Sequence, residues 1–598
     1  MIDTLGVNAL RVLNRRYALK DETGKVIETP EQVFRRVAKA VASADLKYGT
    51  DAQAKDSEQK FFEMMTALEF LPNSPTLMNA GTDVGQLSAC FVLPVEDSIV
   101  DIFDAVKNMA VIHQSGGGTG FSFSKLRPEG DIVVSTKGIA SGPVSFMNVF
   151  DTATEVIKQG GRRRGANMGI LRCDHPDIVK FITAKKKNRV LRNFNLSVAV
   201  TDMFMKKAAE GGSYDLINPR TGKTVKSMRA ADVFDLIVQN AWGSGDPGLI
   251  FIDEINRKNQ TAKLGPIEST NPCGEQILHP YESCNLGSIN LSKVINDGAL
   301  DSDKLHDLVR AGVHFLDNVI DVNIFPVRQT EEITLKNRRI GLGVMGFADA
   351  LLLLGIPYDS QEALDFATHV MKFIRENALD MSREIAKSRG SFPNFDISSW
   401  RDNGYDALRN ATVTTIAPTG TISIVAGTSS GIEPLFAISY VRDVMEGTRL
   451  MEANPVFEAT AKERGFYSEA LMTEIARTGS VQENKKIPED VRRLFVTAMD
   501  IDPEWHVRMQ AAFQVYTDNA VSKTINLRPE AVPDDIRKAY LLAYELKCKG
   551  ITVYRYGSKN EQVLYLNPAF DKQPEKDLEF ATAKPEFSGG CPVPVCPA

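Results

Sequence analysis

Apolar and polar residues follow two different periods along the chain, and each period predicts a kind of element. Between residues 28 and 45 the pattern is typical of an amphipathic helix. Thr29 followed by Pro30, with Gln32 three residues after the threonine, predicts the start of that helix, because Thr is a good cap and Pro fits the first turn. Residues 306–322 also show a helical period. We therefore expect a helical N-terminal region over residues 1–65 and further long helices in the middle of the chain.

Short apolar runs rich in β-branched residues predict strands between these helices. Two examples are Asn195–Thr201 and Ala411–Ala417. Strands that alternate with helices favour an α/β fold in which most strands are parallel. From about residue 566 the periodicity is lost and Pro, Gly and charged residues increase, so residues 566–598 are expected to form a flexible tail. The tail ends in two cysteines, which is unusual for a simple disordered segment.

Composition and charge exclude several classes of protein. The chain has 598 residues, 43% of them hydrophobic and 24% charged, with a net charge of −6 and a mean hydropathy of −0.17. A negative net charge argues against an extended surface for nucleic acids or anionic membranes. The N-terminal residues are charged throughout, and no apolar stretch reaches the roughly 18 residues of a membrane span. We expect a cytoplasmic protein with no membrane partner.

The cysteines are the first candidates for chemistry. There are seven, at irregular spacing, which fits neither a disulfide framework nor a zinc site, and no metal site is expected. Cys273 lies in TNPCGEQ, where Asn271 and Glu275 stand two residues to either side and would share a face if the segment is extended. Pro272 and Gly274 suggest a tight, pre-shaped loop. A buried structural cysteine beside a turn is the alternative. The remaining cysteines are Cys90, Cys173, Cys284, Cys548, Cys591 and Cys596.

Glycine-rich segments offer a second kind of site. Residues 416–427, IAPTGTISIVAG, follow a predicted strand and open a short helix with hydroxyl side chains, an arrangement that can hold a phosphate. Residues 113–127, with SGGGTG, allow close approach of a backbone. Residues 341–346, GLGVMG, match a dinucleotide-binding pattern, but no preceding strand is evident. We attribute these last glycines to close helix packing instead.

Ten ordered motifs run from about Leu5 to the C-terminus. They are NRRY, LPNSPTLMNAG, QLSACFVLPV, GGGTGFSFSKLRP, KQGGRRRGANMGILRCDHPDI, STNPCGEQ, SCNLGSINL, IGLGVMGFADAL, APTGTISIVAGTSSGIEP and KGITVYRYGS. Together they resemble the catalytic chain of ribonucleotide reductase, and most closely its adenosylcobalamin-dependent class II. The resemblance implies a ten-stranded α/β barrel of two antiparallel five-stranded parallel half-barrels with a central finger loop. The barrel would cover residues 66–565, between the helical region and the tail.

The resemblance also implies roles for the cysteines. Cys273 would carry a thiyl radical that removes the ribose 3′ hydrogen, with Glu275 as the base and Asn271 orienting the substrate. Cys90 and Cys284 would supply two electrons and become a disulfide. Cys591 and Cys596 in the tail would reduce that disulfide and then be reduced by a thioredoxin-like partner, whereas Cys173 and Cys548 have no implied role.

Substrate and effector sites can be placed in the same way. The implied substrate contacts are Ser74, Ala89, Cys90, Gly118, Asn271, Pro272, Cys273, Gly274, Glu275, Pro418, Thr419, Gly420, Thr421 and Ile422. A deoxynucleoside triphosphate effector would bind at the interface of a homodimer and act through a specificity loop. The implied effector residues are Asp151, the segment 137–145, Lys158, Gln159, Arg162 and Arg163. The N-terminus is too short for an ATP-cone, so no overall on/off control is expected.

The implied radical source separates two classes of the family. Class I chains relay a radical from a second, metal-containing subunit through an adjacent tyrosine pair, but here Tyr554 and Tyr556 are separated by Arg555. This departure favours adenosylcobalamin as the cofactor and ribonucleotides, expected to be diphosphates, as substrates. A class I large subunit is the alternative. A nucleotide-binding regulatory protein or a simple thiol-disulfide oxidoreductase is a more distant one, because Cys90, Cys273, Glu275 and Cys284 are all present.

Overall fold

A helical region leads into the barrel. The computed structural model describes residues 5–133, 137–159, 163–186, 190–443, 449–558 and 578–580. Thr29 caps the helix that starts at Pro30 through a capping box with Gln32, as the sequence predicts, because these contacts are local. The apolar face of that helix packs into the main core. The α-helices of the N-terminal region are α1 (Val7–Val12), α2 (Pro30–Ala42) and α3 (Asp51–Thr66).

The remaining α-helices follow in the rest of the chain. They are α4 (Ser74–Asn79), α5 (Ile99–Ser115), α6 (Pro143–Val156), α7 (Ile178–Ile182), α8 (Asp202–Glu210), α9 (Ala230–Ser244), α10 (Ile252–Arg257), α11 (Ser302–Val322), α12 (Arg328–Asn337), α13 (Phe347–Leu354), α14 (Gln361–Arg389), α15 (Ser399–Asp402), α16 (Ile422–Ala426), α17 (Pro455–Glu463), α18 (Glu469–Thr478), α19 (Glu489–Leu494), α20 (Pro503–Gln514) and α21 (Pro533–Glu545). Helix α11 contains the segment that the helical period predicts.

The strands of the described residues form one large sheet and several small ones. They are β1 (Phe70–Pro72), β2 (Cys90–Val92), β3 (Gly118–Ser122), β4 (Ile132–Val133), β5 (Gly138–Ile139), β6 (Lys158–Gln159), β7 (Arg163–Arg164), β8 (Asn167–Arg172), β9 (Phe194–Val200), β10 (Ser213–Ile217), β11 (Thr224–Arg229), β12 (Gly248–Phe251), β13 (Ser269–Thr270), β14 (Ile277–Leu278), β15 (Glu282–Asn290), β16 (Ile295–Asn296), β17 (Ala299–Leu300), β18 (Ile340–Met345), β19 (Ser439–Asp443), β20 (Arg449–Ala453), β21 (Thr524–Leu527), β22 (Gly550–Arg555) and β23 (Leu578–Phe580).

The strand pairings close a barrel from two parallel halves. In the first half β2, β3, β8, β9 and β12 run parallel in that order. In the second half β15 pairs in parallel with β18, and β21 with β22. Parallel bridges at Thr414 and Ile416 join segment 412–416 to β18 and to Val521, just before β21. The halves meet through two antiparallel pairs, β2 with β15 and β12 with β22. The expected ten-stranded barrel is confirmed.

One predicted strand is less regular than its sequence suggests. Residues 411–417 carry only isolated bridges at Thr414 and Ile416, whereas the other predicted example coincides with β9. The backbone of segment 412–416 passes very close to β18, with which it shares several hydrogen bonds, and the Thr415 hydroxyl donates to the Glu275 carbonyl of a central loop. The β-branched composition therefore indicates extended backbone here, but not a regular strand.

A buried cluster of charges fixes the helical region to the barrel. Asp317 on α11 accepts hydrogen bonds from Arg338 and Arg409, at 2.8 and 3.2 Å. Arg389 at the end of α14 donates to Asp45, which lies just after α2. The guanidinium groups hold the pKa of Asp317 below its usual range despite its burial. No helix among the residues that the model describes is long and apolar enough to cross a membrane.

Candidate active site

The centre of the barrel is occupied by a hairpin loop, which we call the finger loop (residues 271–276). It connects β13 and β14, whose register pairs Thr270 with Ile277. The Asn271 N–H donates to the Gln276 carbonyl at 3.1 Å, and the Gln276 N–H donates to the Asn271 side chain at 3.0 Å. Gly274 has φ of +80°, a left-handed conformation that favours glycine. The loop is tight and pre-shaped, as the sequence predicts.

Both halves of the barrel hold the finger loop in place. From the first half, the Asn195 side-chain amide on β9 donates to the Pro272 carbonyl at 2.8 Å. From the second half, the Thr415 hydroxyl and the Ala520 N–H both donate to the Glu275 carbonyl, at 2.9 and 2.8 Å. The position of the tip therefore depends on the closure of the barrel, since its anchors come from both halves and range from Asn195 to Ala520 in sequence.

Close approach of backbone explains the glycines around the loop. A Cβ on Gly120 would lie 1.7 Å from the Thr270 carbonyl oxygen. A Cβ on Gly341 would lie 2.6 Å from the Gln276 side chain, and one on Gly343 would lie 2.2 Å from the Thr415 carbonyl oxygen. The interpretation of GLGVMG as a helix-packing motif is therefore wrong: its first two glycines lie in strand β18 and make room for the finger loop and segment 412–416.

Cys90 and Cys284 are direct partners across two antiparallel strands. They face each other in the register of β2 and β15, where opposite residues point to the same side of the sheet. Opposite Cα atoms in such pairs lie about 4.5–5.5 Å apart, within the range that a disulfide spans. Both thiols are reduced and buried in the structure. The pair can therefore form a disulfide with little movement of the backbone.

Cys90 also contacts the finger loop. The Asn271 side-chain amide donates to Cys90 Sγ at 3.1 Å, and the Cys90 thiol faces the Glu275 carboxylate, with Sγ 3.9 Å from Oε1. Cys90, Asn271 and Glu275 are buried, whereas Cys273 at the tip is half-buried. An amide, a carboxylate and a thiol thus converge below the tip, which agrees with the expected shared face of Asn271 and Glu275.

The electrostatic surroundings keep Cys284 protonated. Burial raises the pKa of the Cys284 thiol well above its ordinary value, and the nearby Glu282 carboxylate adds to the effect, while Arg339 opposes it. The Cys284 thiol donates to the carbonyl oxygens of Asn285 and Arg339, at 3.3 and 3.5 Å. At neutral pH this group is a thiol that can give a hydrogen atom or a proton, not a free thiolate.

A cleft of about 480 Å³ opens on one side of the finger loop. We call it the cysteine cleft, and it unites most of the contacts that the sequence analysis expects. Its lining residues are Asn73, Ser74, Pro75, Ala89, Cys90, Gly118, Asn271, Pro272, Cys273, Glu275, Leu286, Gly287, Ser288, Ala417, Thr419 and Ile422. Of the expected contacts, Gly274, Pro418, Gly420 and Thr421 are not among its lining residues.

Segment 418–422 forms one end of this cleft, and a residue that the sequence analysis missed lies beside it. Thr419 has φ of +54°, and its hydroxyl accepts a hydrogen bond from the Gly431 N–H at 2.7 Å. Arg16 donates to the Thr421 hydroxyl at 2.8 Å, and its neighbour Tyr17 shares a hydrogen bond with Ser74 at 2.9 Å. The NRRY motif therefore places a cation at the hydroxyl-rich end of the cleft.

A second cavity, of about 890 Å³, lies against the finger loop as well. It is lined by Pro272, Cys273 and Gly274 of the finger loop together with residues of β9, β12, β21 and β22. Pro272 and Cys273 line both this cavity and the cysteine cleft. The finger loop is thus a partition, and the Cys273 side chain can be reached from either space.

Tyr554 in β22 and Tyr556 just after it lie in different places. Tyr554 is buried and lines the second cavity. Tyr556 lies in the turn after the strand, packs near Phe436 and Ala437, and lines a separate surface groove. They do not form an adjacent pair.

The expected effector residues occupy helix α6 and a hairpin. The Asp151 carboxylate accepts from the Asn193 N–H at 2.9 Å. Strands β6 and β7 pair antiparallel, with Lys158 opposite Arg164 and Gln159 opposite Arg163. Arg162 lies outside the described residues, as do the tail cysteines Cys591 and Cys596.

The two cysteines without an expected role are buried in one hydrophobic cluster, Cys173 just after β8 and Cys548 just before β22. Burial raises the pKa of Cys173 to about 12, and that of Cys548 to about 12. Neither lines the cysteine cleft or the second cavity. Within the described ranges, no group of His, Cys, Asp and Glu side chains could hold a metal ion.

Two family models and several named relatives match the chain. Residues 88–554 match the family model described as ribonucleotide reductase, barrel domain, and residues 3–85 match ribonucleotide reductase, all-alpha domain. The chain is 52% identical to the vitamin B12-dependent ribonucleoside-diphosphate reductase of Thermoplasma acidophilum over 99% of this chain and 85% of that protein. It is 50% identical to the protein of the same name from Mycobacterium tuberculosis, over 98% of this chain and 82% of that one.

A solved structure with the same fold is the class Id ribonucleotide reductase alpha subunit of Actinobacillus ureae. It is similar to this chain with a TM-score of 0.76 and 25% identity, over 93% of this chain and 98% of that one.

Proposed function

Because the chain belongs to the ribonucleotide reductase family, we propose that it reduces ribonucleoside diphosphates to 2′-deoxyribonucleotides for DNA synthesis, with adenosylcobalamin as the radical source. One observation supports this most strongly: Cys273 lies in the partition between two cavities. A thiol in that position can pass a radical from a cofactor on one side to a substrate on the other. The curated relatives from T. acidophilum and M. tuberculosis bear names with both the cofactor and the diphosphate.

The residues of the cysteine cleft, together with Cys284, which faces Cys90 across β2 and β15, can carry out the whole reduction. The Cys273 thiyl radical removes the ribose 3′ hydrogen, while Glu275 accepts the proton of the 3′-hydroxyl and Asn271 holds the sugar by hydrogen bonds. A thiol of the Cys90–Cys284 pair protonates the leaving 2′-hydroxyl, which departs as water. The pair gives two electrons and two protons in total and ends as a disulfide, and the 3′ hydrogen returns from Cys273. Burial of the cleft protects the radical from solvent.

The second cavity has the properties that a cofactor of this kind needs. It is larger than the cysteine cleft, is lined by both apolar and polar side chains, and reaches the Cys273 side chain. A buried amide oxygen on Gln510, one of its lining residues, has no hydrogen-bond partner among the described residues, which suits a bound polar group. Bound beside Cys273, adenosylcobalamin would supply the radical chemistry that converts the Cys273 thiol into a thiyl radical. The chain's own part is to hold it there and to exclude water.

The class I alternative is less well supported. Tyr554 and Tyr556 are not adjacent and lie in different surroundings, so the expected tyrosine relay lacks its geometry. The relatives near 50% identity are named as B12-dependent enzymes, whereas the large subunit of vaccinia virus, which is named without B12, is 29% identical.

The phosphates of the substrate would lie at the end of the cleft near segment 418–422. The backbone N–H groups of that segment, the Thr421 hydroxyl and the Arg16 guanidinium are the donors available there. This assignment adds the Arg16 guanidinium to the expected substrate contacts. Gly420 and Thr421 are expected contacts that do not line the cleft, and they would contribute only to binding the phosphates.

Replacing Arg16 should therefore weaken substrate binding more than catalysis. We expect Arg16→Ala to raise KM for the ribonucleoside diphosphate by about tenfold with kcat within about twofold, because a charge-assisted contact to phosphate is lost. Arg15→Ala is the matched control, since Arg15 is the exposed neighbour in the same turn. Steady-state kinetics of the two variants decide the point. Equal KM values in both would remove Arg16 from the site.

A dimer with an effector site is the expected regulatory assembly. Helix α5 exposes Ile99, Val100 and Phe103, an apolar surface that a second copy could cover. A buried hydrogen-bond chain supports communication from α6 to the cleft: Asn167 donates to Thr154 on α6 at 2.9 Å and accepts from Thr119, beside Gly118, at 2.7 Å. Asp151 and the β6–β7 hairpin, with Lys158, Gln159, Arg162 and Arg163, would hold or report the effector.

Effector control would appear as a change in base preference. We expect different deoxynucleoside triphosphates to change the ratio of purine to pyrimidine ribonucleotides reduced, as measured in mixtures of the four substrates. A ratio that stays the same with every effector would argue against this regulatory site.

Replacing Asn167 with Ala should weaken the response to the effector while the activity without effector remains, because the hydrogen-bond chain would be cut.

The C-terminal tail would restore the reduced Cys90–Cys284 pair after each turnover. Cys591 and Cys596 are spaced to form a dithiol that reduces the Cys90–Cys284 disulfide by thiol-disulfide exchange, and a thioredoxin-like protein would then reduce the tail. We place this chemistry in the cytoplasm, where thiols are kept reduced.

The stoichiometry of thiols tests the reductive half of the proposal. With prereduced enzyme and no external reductant, each deoxynucleotide formed should consume two thiols. Product without loss of thiols would overturn it.

A further inference from the structure

The polar side chains that line the second cavity differ in whether all their hydrogen-bonding atoms have a partner. This difference points to the ligand that the cavity recognises. Lys523 is fully buried, and its ammonium donates to Glu433 at 2.7 Å, to His506 Nδ1 at 3.1 Å and to the Thr524 carbonyl at 3.3 Å. An ammonium has three hydrogens, so all of them are engaged. The Asn195 amide donates one of its two hydrogens to the Pro272 carbonyl. Both groups are thus held by contacts within the protein, and Lys523 has no hydrogen left for a ligand.

Gln510 on α20 differs from them. It lines the cavity and is 1% exposed. Its Nε2 donates to the Gly550 carbonyl at 2.7 Å, and this contact fixes the orientation of the amide, because a carbonyl can only accept. The Oε1 atom is buried and has no hydrogen-bond partner in the described part of the chain. Buried acceptors without a partner are rare and are usually satisfied by a water or a ligand.

We propose that Gln510 recognises the adenine base of the cofactor's adenosyl group, with its Oε1 accepting a hydrogen bond from the 6-amino group. This inference rests on the proposed cobalamin-dependent function. The reacting carbon belongs to the sugar, so the sugar must lie at the Cys273 end of the cavity. The base then reaches the walls formed by β22 and α20, where Gln510 is held through Gly550. Apolar side chains such as Leu249 and Ile551 line the cavity and suit a flat heterocycle.

Gln510 would therefore be a specificity residue. An adenine presents an N–H donor at position 6, whereas a hypoxanthine presents a carbonyl oxygen there, which would face Oε1 with no hydrogen between them. A site that is built around one hydrogen bond rejects an analogue that cannot make it. The interaction would select the adenosyl form of the cofactor and would have no direct part in the chemistry at Cys273.

The test compares two nucleosides and two matched variants. Binding of 5′-deoxyadenosine and 5′-deoxyinosine to the full chain, in the presence of cobalamin without an upper nucleoside ligand, is measured by calorimetry. Wild type should prefer 5′-deoxyadenosine by about tenfold or more, and Gln510→Met should reduce that ratio to about one. Gln514→Met is the control, because Gln514 lies one turn later on α20 and does not line the cavity. It should keep the wild-type ratio.

The outcomes separate this inference from the proposed function. A wild-type ratio near one, or an unchanged ratio in Gln510→Met, would overturn the role of Gln510. If deoxynucleotide formation still required adenosylcobalamin in the same preparation, the proposed function would stand. If neither nucleoside bound and turnover did not require adenosylcobalamin, both would fail.

Discussion

Cys273→Ala should form no detectable deoxynucleotide, a loss of roughly 10³-fold or more, while binding substrate about as well as wild type. The reason is its position in the partition between the cysteine cleft and the second cavity. No other cysteine among the described residues lines both spaces. The fold should not suffer, because the side chain is half-buried at the tip of a loop whose anchors are Asn271, Pro272 and Glu275.

The measurement pairs an anaerobic product assay with calorimetric binding of the ribonucleoside diphosphate. Intact binding with no product is the predicted combination. Substantial product from Cys273→Ala would show that another group carries the radical. Loss of both binding and thermal stability would mean that the substitution had disturbed the finger loop, and Cys273→Ser would then be used to repeat the assay.

Cys284→Ala should abolish repeated turnover, also by roughly 10³-fold, because it removes half of the electron pair needed for each product. Cys90 faces it across β2 and β15, so no other thiol in the described residues is placed to complete the disulfide. Cys173→Ala is the matched control: it is an equally buried cysteine that lies just after β8, outside the β2–β15 pair. We expect that control to lose some thermal stability but to keep most of its turnover.

Two readouts decide this second prediction. Product is assayed with a dithiol in excess, and unfolding temperature is measured for both variants. If Cys284→Ala kept more than about a tenth of wild-type turnover, the Cys90–Cys284 pair would not be the reductant. An inactive but folded Cys173→Ala would reveal a function for that thiol that the structure gives no reason to expect.

Local features of the structure follow from the sequence, because they depend on neighbouring residues. The capping box of Thr29 and Gln32 and the extent of β9 are examples. The finger loop belongs here too, since Pro272 and Gly274 restrict the backbone wherever they occur. The ten ordered motifs identify the family and with it the barrel, although no periodicity shows which strands close it.

Features that depend on distant residues could not be predicted in this way. Arg16 and Thr421 are 405 positions apart, and only the folded chain brings them together. The second cavity combines finger-loop residues with residues near both ends of the barrel sequence, from Met168 to Tyr554. The misinterpretation of Gly341 and Gly343 has the same origin, because the backbone that approaches them comes from the finger loop and from segment 412–416.

The most direct test of the central claim is whether this chain alone makes deoxynucleotide when adenosylcobalamin is added. Purified chain, a ribonucleoside diphosphate, a dithiol and a deoxynucleotide effector are incubated anaerobically with and without adenosylcobalamin, and the product is measured by chromatography. The account predicts product only in the presence of the cofactor. No product with the diphosphate or the triphosphate, but product once a metal-containing partner subunit replaces the cofactor, would contradict it and place the chain in class I.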